Sequence, residues 1–245
     1  SLFFLFDSII HFACYKKSFL DVPNLLKEVT IYVTYSNVCI HKHFYGVSYD
    51  KHSLTCTLNV IGVSESEVAF RLEIANPGHN FPSAIMEIIS VSVNPVTKMR
   101  CPLPKWWVSK YKLQNGSRSS LLTPENSMKI PNKPAEMRIK VVYSDTDRNN
   151  HTNWKSYARF CYDSLMDACI DGKYRKVKVK DTGRAVQFFE IWFFKESVLG
   201  DDLNIFSWEV DNENENVVEF EIRNRGSLCC RAKMNLYDVD LKSKL

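Results

Sequence analysis

The chain has 245 residues, 45% of them apolar and 24% charged, and a formal net charge of +4 at pH 7. Fractions this close to those of ordinary folded domains exclude a disordered or fibrous chain, and so small a positive balance gives no reason to expect nucleic-acid binding. There is enough chain for one sizeable core or two small ones.

Eight cysteines show neither zinc-site spacing nor a compact disulfide framework. Most fall inside apolar strand or helix patterns, which reads as buried thiols in a reducing, cytoplasmic setting, with an organelle as the alternative. The chain opens on the apolar run 1–14, without an initiator methionine. That run lacks the basic start of a signal peptide and is too short and interrupted to span a bilayer, so no membrane span is expected.

An internal repeat explains the run better. Residues 4–9 (FLFDSI) lie over 160–165 (FCYDSL) without a gap, and Phe44-Tyr45-Gly46 over Val198-Leu199-Gly200. The polar turns 64–67 (SESE) and 212–215 (NENE) then correspond, as do the strands they lead into, 68–72 (VAFRL) and 218–222 (VEFEI). The last strands, 83–93 and 227–237, complete the match. Two copies of a helix followed by antiparallel strands are what this pattern predicts. The first copy begins inside its helix, so the expectation is an N-terminally truncated chain with one open sheet edge.

Between the copies, 94–104 (NPVTKMRCPLP) reads as a turn, a short strand end and an exit. Residues 105–136 read as a linker, flexible in composition at 114–120 (QNGSRSS) and interrupted by Pro124, Pro131 and Pro134. Trp106, Trp107 and Tyr111 within it are expected to pack back on the sheets.

From Met137 the alternation of Ile139, Val141 and Tyr143 predicts a strand. A polar knot follows, 144–153 (SDTDRNNHTN), and then Trp154, Tyr157, Cys161, Leu165 and Ala168 recur at helical spacing, with Asn153 placed to cap the helix. The knot would sit between a strand end and a helix start, where backbone N–H groups and the helix dipole stabilise developing negative charge.

Residues 145–153 carry the pattern D-x-D-x-N-x-H-x-N, and Lys195-Glu196-Ser197 stands where an acidic residue followed by cysteine would close the motif. The pair of motifs resembles the fatty acyl-ACP thioesterase family, with serine in place of the cysteine. The resemblance implies an α+β double hotdog: two antiparallel sheets, each wrapped around a long helix and joined edge to edge, the first lacking its first strand. Its boundaries would be 1–104 for the first hotdog, 105–136 for the linker and 137–245 for the second, which carries the catalytic motif. It further implies hydrolysis of fatty acyl thioesters of acyl-carrier protein or coenzyme A, without cofactor or metal. Two joined hotdogs already form an intramolecular pseudo-dimer, so a homodimer is allowed but not required.

Thioester hydrolysis needs a nucleophile, a base to activate it, and donors for the oxyanion. The resemblance carries these roles onto Asp147, Asn149, His151 and Glu196, and onto Ser197 by location. Glu196 would be the base for water, Asn149 would position water or the acyl carbonyl, and His151 would serve the departing thiolate. Asp147 would orient a neighbour, and N–H groups near Trp154 would complete the oxyanion site. A serine nucleophile needs a dedicated base, so attack by water is the expectation rather than attack by Ser197. Taken singly, each of these residues has a plainer reading as a turn acceptor, a left-handed turn residue, a core histidine or an exposed strand residue.

The first copy offers no rival, since the counterparts of Glu196 and Ser197 fall near Lys42 and His43. His41 and His43 share a strand face without evident partners. Lys173, Arg175, Lys176, Lys178 and Arg184 would suit an acidic carrier protein or the phosphates of coenzyme A, although a solvated, charged strand edge is the commoner meaning of such a run. The alternative function is a non-catalytic hotdog that binds acyl groups or a protein partner. A hotdog dehydratase is weaker, because its signature is absent.

Overall fold

A computed structural model describes residues 2–46, 54–75, 81–111, 128–147, 150–178, 186–210 and 216–237. The linker stretch 114–120, the turn 212–215, Asn149 and Arg184 lie outside the described residues. The chain forms two compact units, Ser1–Val38 with Val47–Pro124, and Cys39–Gly46 with Glu125–Leu245.

In the first unit, α1 (Leu2–His11) runs on as a wider turn through Phe12–Lys16, and the short helix α2 (Val22–Leu25) follows. The strands are β1 (Thr30–Ile40), β2 (Thr55–Val63), β3 (Glu67–Ala75) and β4 (Ala84–Val93), in the order β2-β3-β4-β1. β4 shows why the sequence makes a sheet: Ala84, Met86, Ile88 and Ser90 point to the buried side while Ile85, Glu87 and Ile89 are more open. His41 and His43 are not on a strand. β1 ends at Ile40, and both lie in the turn after it, with ring centroids 5.8 Å apart.

The segment after Pro104 is not irregular throughout. Residues Lys105–Tyr111 form helix α3, which seats Trp107 among Leu20, Leu25, Val29, Val63, Val68 and Leu103. The Trp107 indole N–H donates to the Leu20 carbonyl at 2.7 Å. Leu20 has φ 57°, a left-handed conformation costing about 1–2 kcal/mol that burial of its side chain and this hydrogen bond offset.

Lys110 Nζ and Tyr111 Oη both donate to Asp21 Oδ2, at 2.6 and 2.8 Å, and these bonds, Lys110's first, lower the Asp21 pKa below the ordinary carboxylate value. A depressed carboxylate contributes stability above its unfolded pKa and loses it as pH falls through the folded one. The melting temperature of wild type should therefore exceed that of Asp21→Asn at about pH 6, with the gap narrowing as pH falls below the ordinary carboxylate value of about 3.9. A gap that is constant across that range would sink the assignment.

In the second unit, β5 (Ala135–Lys140) precedes the long helix α4 (Trp154–Ile170), and β6 (Val186–Phe193), β7 (Asp202–Glu209), β8 (Asn216–Asn224) and β9 (Ser227–Leu236) follow. Their order is β6-β9-β8-β7-β5, and every resolved pairing is antiparallel. The strands after the helix thus take the same order in both units, as the internal repeat predicts, with β5 added beside β7 in the second.

α4 buries Tyr157, Phe160, Cys161, Ser164, Leu165 and Ala168, one stripe at three- and four-residue spacing. That stripe meets the sheet through Ser164 and Ser207, whose hydroxyls are 3.0 Å apart, and through Tyr157 and Phe193, whose rings lie 5.4 Å apart. Beneath it, Leu203, Ile205, Phe220, Ile222, Ala232 and Met234 are fully buried.

Candidate active site

The polar knot takes its shape from side chains that compete with the strand for backbone groups. Alternation runs on to Tyr143, but β5 stops at Lys140, because the Asp145 carboxylate accepts the Val142 N–H at 3.0 Å and Tyr143–Asp145 turns as a 3-10 helix. Asp145 is buried and also takes Arg159 Nη2 at 2.6 Å, so the first aspartate of the motif is scaffold. Asn153 caps α4 as its sequence position predicts, its Oδ1 accepting the Lys155 N–H at 3.1 Å.

Between these anchors the chain doubles back twice. Thr146 bridges Thr152, and His151 bridges Val198, both antiparallel. Thr152 N donates to Ser197 O at 2.8 Å and Leu199 N to Asn150 O at 3.1 Å, so residues 150–152 lie between 146–147 on one side and 197–199 on the other. Asn150 has φ 60°, a left-handed conformation asparagine tolerates, and Gly200, at φ 89°, closes the turn on the far side with its N–H on Val141 O.

This small ladder brings together residues 45 positions apart. His151 Nδ1 lies 3.4 Å from Glu196 Oε2, with the histidine side chain 20% exposed and the glutamate 52%. Asp147 Oδ1 accepts the His151 backbone N–H at 3.1 Å, and Asp147 N donates to His151 O at 2.8 Å, so this carboxylate fixes the backbone that carries the imidazole. Ser197 is elsewhere. Its side chain is buried beneath the pair, with Oγ 2.6 Å from Thr152 Oγ1 and 2.7 Å from Tyr157 Oη. Burial raises the Tyr157 phenol well above its usual pKa, so it stays neutral.

Residues 128–237 match the family model of the acyl-ACP thioesterase C-terminal domain. Over that stretch the chain is similar to the acyl-ACP thioesterases. The whole chain is similar in fold to a protein assigned as an oleoyl thioesterase from Lactobacillus plantarum, at 13% identity and TM-score 0.77, covering 96% of this chain and 88% of that one. It is similar also to an acyl-ACP thioesterase from Bacteroides thetaiotaomicron, at 17% identity and TM-score 0.70, covering 97% and 90%. A third likeness is to the 12:0-ACP thioesterase from Umbellularia californica, at 11% identity and TM-score 0.70, with the same coverage of each chain. No curated protein sequence matches. The expected hotdog-type fold and thioester hydrolysis are borne out at that level.

Two parts of the predicted site have neighbours that constrain them. Of the N–H groups at the start of α4, Lys155 N donates to Asn153 Oδ1 and Ser156 N to Asn153 O, so these two are engaged within the cap. Lys173, Arg175, Lys176 and Lys178 follow the C-terminal end of α4, a helix whose 17 residues at about 1.5 Å each make it about 25 Å long.

Within the basic run, Lys173 pairs with Asp171 at 2.8 Å, and Lys178 Nζ donates to Tyr174 O at 2.7 Å. The Arg175, Lys176 and Val177 N–H groups converge on the Glu209 carboxylate, each at 2.7 Å. The sequence reading missed Thr152 and Tyr157. Thr152 lies inside the motif at an unassigned position, and Tyr157 was legible only as a core aromatic of the helix stripe.

No helix among the described residues is long and apolar enough to cross a membrane. Among those residues no cluster of three or more His, Cys, Asp or Glu is placed to hold a metal ion.

Proposed function

We propose that the chain is an acyl thioesterase that hydrolyses fatty acyl thioesters of acyl-carrier protein or coenzyme A by attack of water, its two units being a double hotdog. The observation that carries the reading is the approach of His151 to Glu196, held by the ladder beside α4 inside the stretch similar to this family. Glu196 reaches solvent and takes a proton from a water molecule as that water attacks the acyl carbonyl. Collapse of the tetrahedral intermediate breaks the carbon–sulfur bond. The thiolate leaves with a proton from His151, the proton that Glu196 took from water passes back to His151 across their contact, and the free acid remains.

Asp147 holds the His151 backbone, and Asn149 positions the water or the carbonyl. Among the described residues the hydroxyl of Ser197 meets those of Thr152 and Tyr157, neither of them a base, which favours water over a serine nucleophile. Lys173, Arg175, Lys176, Lys178 and Arg184 are the proposed contacts for an acidic carrier protein or for the phosphates of coenzyme A.

The test is thiol release from acyl-CoA and acyl-ACP substrates. Glu196→Gln should lower kcat by about 10²–10⁴-fold, the usual loss when a general base is removed. Ser197→Ala should keep measurable turnover. Abolition by Ser197→Ala would overturn water attack, and acyl thioesters bound but never cleaved by the wild type would make the chain a non-catalytic binding module.

A further inference from the structure

Beneath the His151–Glu196 pair sits a set of hydroxyls that the hydrolytic scheme does not use. Ser197 is 1% exposed, and Thr152 and Tyr157 are also buried. The two contacts of Ser197 Oγ, 2.6 Å to Thr152 Oγ1 and 2.7 Å to Tyr157 Oη, lie at the short end of the range for hydroxyl pairs. A hydroxyl donates once and accepts twice, so Ser197 can satisfy both neighbours at the same time.

The same residue is tied through its backbone, since Ser197 O accepts the Thr152 N–H at 2.8 Å. Thr152 directly follows His151, and Ser197 directly follows Glu196. The hydroxyl set therefore joins the residues next to the two reacting side chains. Tyr157 fastens the set to the first turn and a half of α4, where its ring is itself packed edge-on to Phe160 and Phe193.

We propose that Thr152, Ser197 and Tyr157 are positioning residues, a buried hydroxyl clamp that sets the separation of Glu196 from His151. Ser197 then acts by holding its neighbour rather than by attacking the substrate. A thiol is a weaker donor and acceptor than a hydroxyl and needs longer contacts than 2.6–2.7 Å, so cysteine at 197 would loosen or push apart the clamp. The proposal rests on the reading of Glu196 as general base.

The experiment measures kcat and KM on one acyl-CoA and one acyl-ACP substrate for wild type, Glu196→Gln, Tyr157→Phe, Thr152→Val, Thr152→Ser, Ser197→Cys, Ser197→Ala and the double variant Thr152→Val with Ser197→Ala. Rates are referred to folded protein by near-ultraviolet circular dichroism. Misplacement of a catalytic group by a fraction of an ångström should cost about 10–100-fold in kcat. Tyr157→Phe and Thr152→Val should show that loss with KM within about twofold, and Thr152→Ser, which keeps the hydroxyl, should recover most of it relative to Thr152→Val.

Thr152→Val should add no further loss to Ser197→Ala, because the contact it removes is already gone. A residue that only supports folding would reduce the amount of folded enzyme and leave kcat per folded molecule alone. Wild-type kcat in both Tyr157→Phe and Thr152→Val, with Glu196→Gln inactive, overturns the clamp and leaves the base assignment standing. A raised kcat in Ser197→Cys also overturns the clamp, since it would show a thiol to be the better group there. An active Glu196→Gln, or a wild type that turns over no substrate, removes the base and the clamp with it. Should Tyr157→Phe fail to fold, the Thr152 pair decides.

Discussion

Glu221→Ala is expected to destabilise the second unit by about 3–5 kcal/mol, the cost of removing one member of a buried ion pair. Glu221 lies on β8, fully buried, and accepts from Arg223 Nε at 2.5 Å on one oxygen and Arg231 Nε at 2.9 Å on the other. Arg231 stands directly opposite it on β9, and Arg223 is its same-face neighbour two residues on.

The two arginines are not equal. Arg223 is 37% exposed and can turn to water, so most of the penalty falls on Arg231, whose side chain is 19% exposed. Replacing Glu221 and Arg231 together by leucine and methionine removes the stranded charge and should recover most of the loss. Urea unfolding gives the magnitude, and hydrogen exchange at the β8 and β9 amides shows where it acts. A single mutant within about 1 kcal/mol of wild type would mean that the triad is solvated in the working molecule.

Trp107→Ala is expected to cost the first unit about 3–5 kcal/mol. The indole is the largest fully buried side chain in its cluster, so its removal opens a cavity walled by Leu20, Leu25, Val63 and Leu103. It also leaves the Leu20 carbonyl without its donor, at a residue already in a left-handed conformation. Trp107→Phe separates the contributions, since it keeps most of the apolar volume and loses only the hydrogen bond, for about 1–3 kcal/mol. Trp106, its neighbour on α3, bonds Glu28 from an exposed position, and Trp106→Ala should cost under about 1 kcal/mol. Equal losses at both tryptophans would sink the seating of α3 described above.

The repeated strands were legible because the last strand of each copy, β4 and β9, alternates buried and more open residues, and the repeat recorded that alternation twice. The start of α4 was legible because Asn153 caps locally, within two residues. Alternation misled at Val141–Tyr143, where the deciding contact is a carboxylate three residues downstream that periodicity does not register. Helix α3 escaped notice because seven residues beside a proline carry too little pattern, and what stabilises them is the distant Leu20.

His151 and Glu196 were found through the resemblance and not through spacing. Their approach depends on bridges between 150–152 and 197–199 that no local rule foresees. The hydroxyls of Thr152 and Tyr157 were invisible for the same reason, as was the use of the α4 N–H groups by its own cap.

Ser197 also changes what kind of chemical damage the centre can suffer. Oxidants and alkylating agents attack thiolates, and a hydroxyl is inert to them. The cysteines nearest in kind, Cys161, Cys229 and Cys230, are buried, and burial raises each of their pKa values, which keeps them as unreactive thiols. Cys56, on β2 of the other unit, is the exposed one. Partial desolvation raises the Cys56 pKa too, so it is exposure that makes this thiol, on a strand remote in sequence from His151 and Glu196, the one that peroxide or iodoacetamide reaches, and the water-based chemistry proposed for that pair offers such reagents no sulfur to consume.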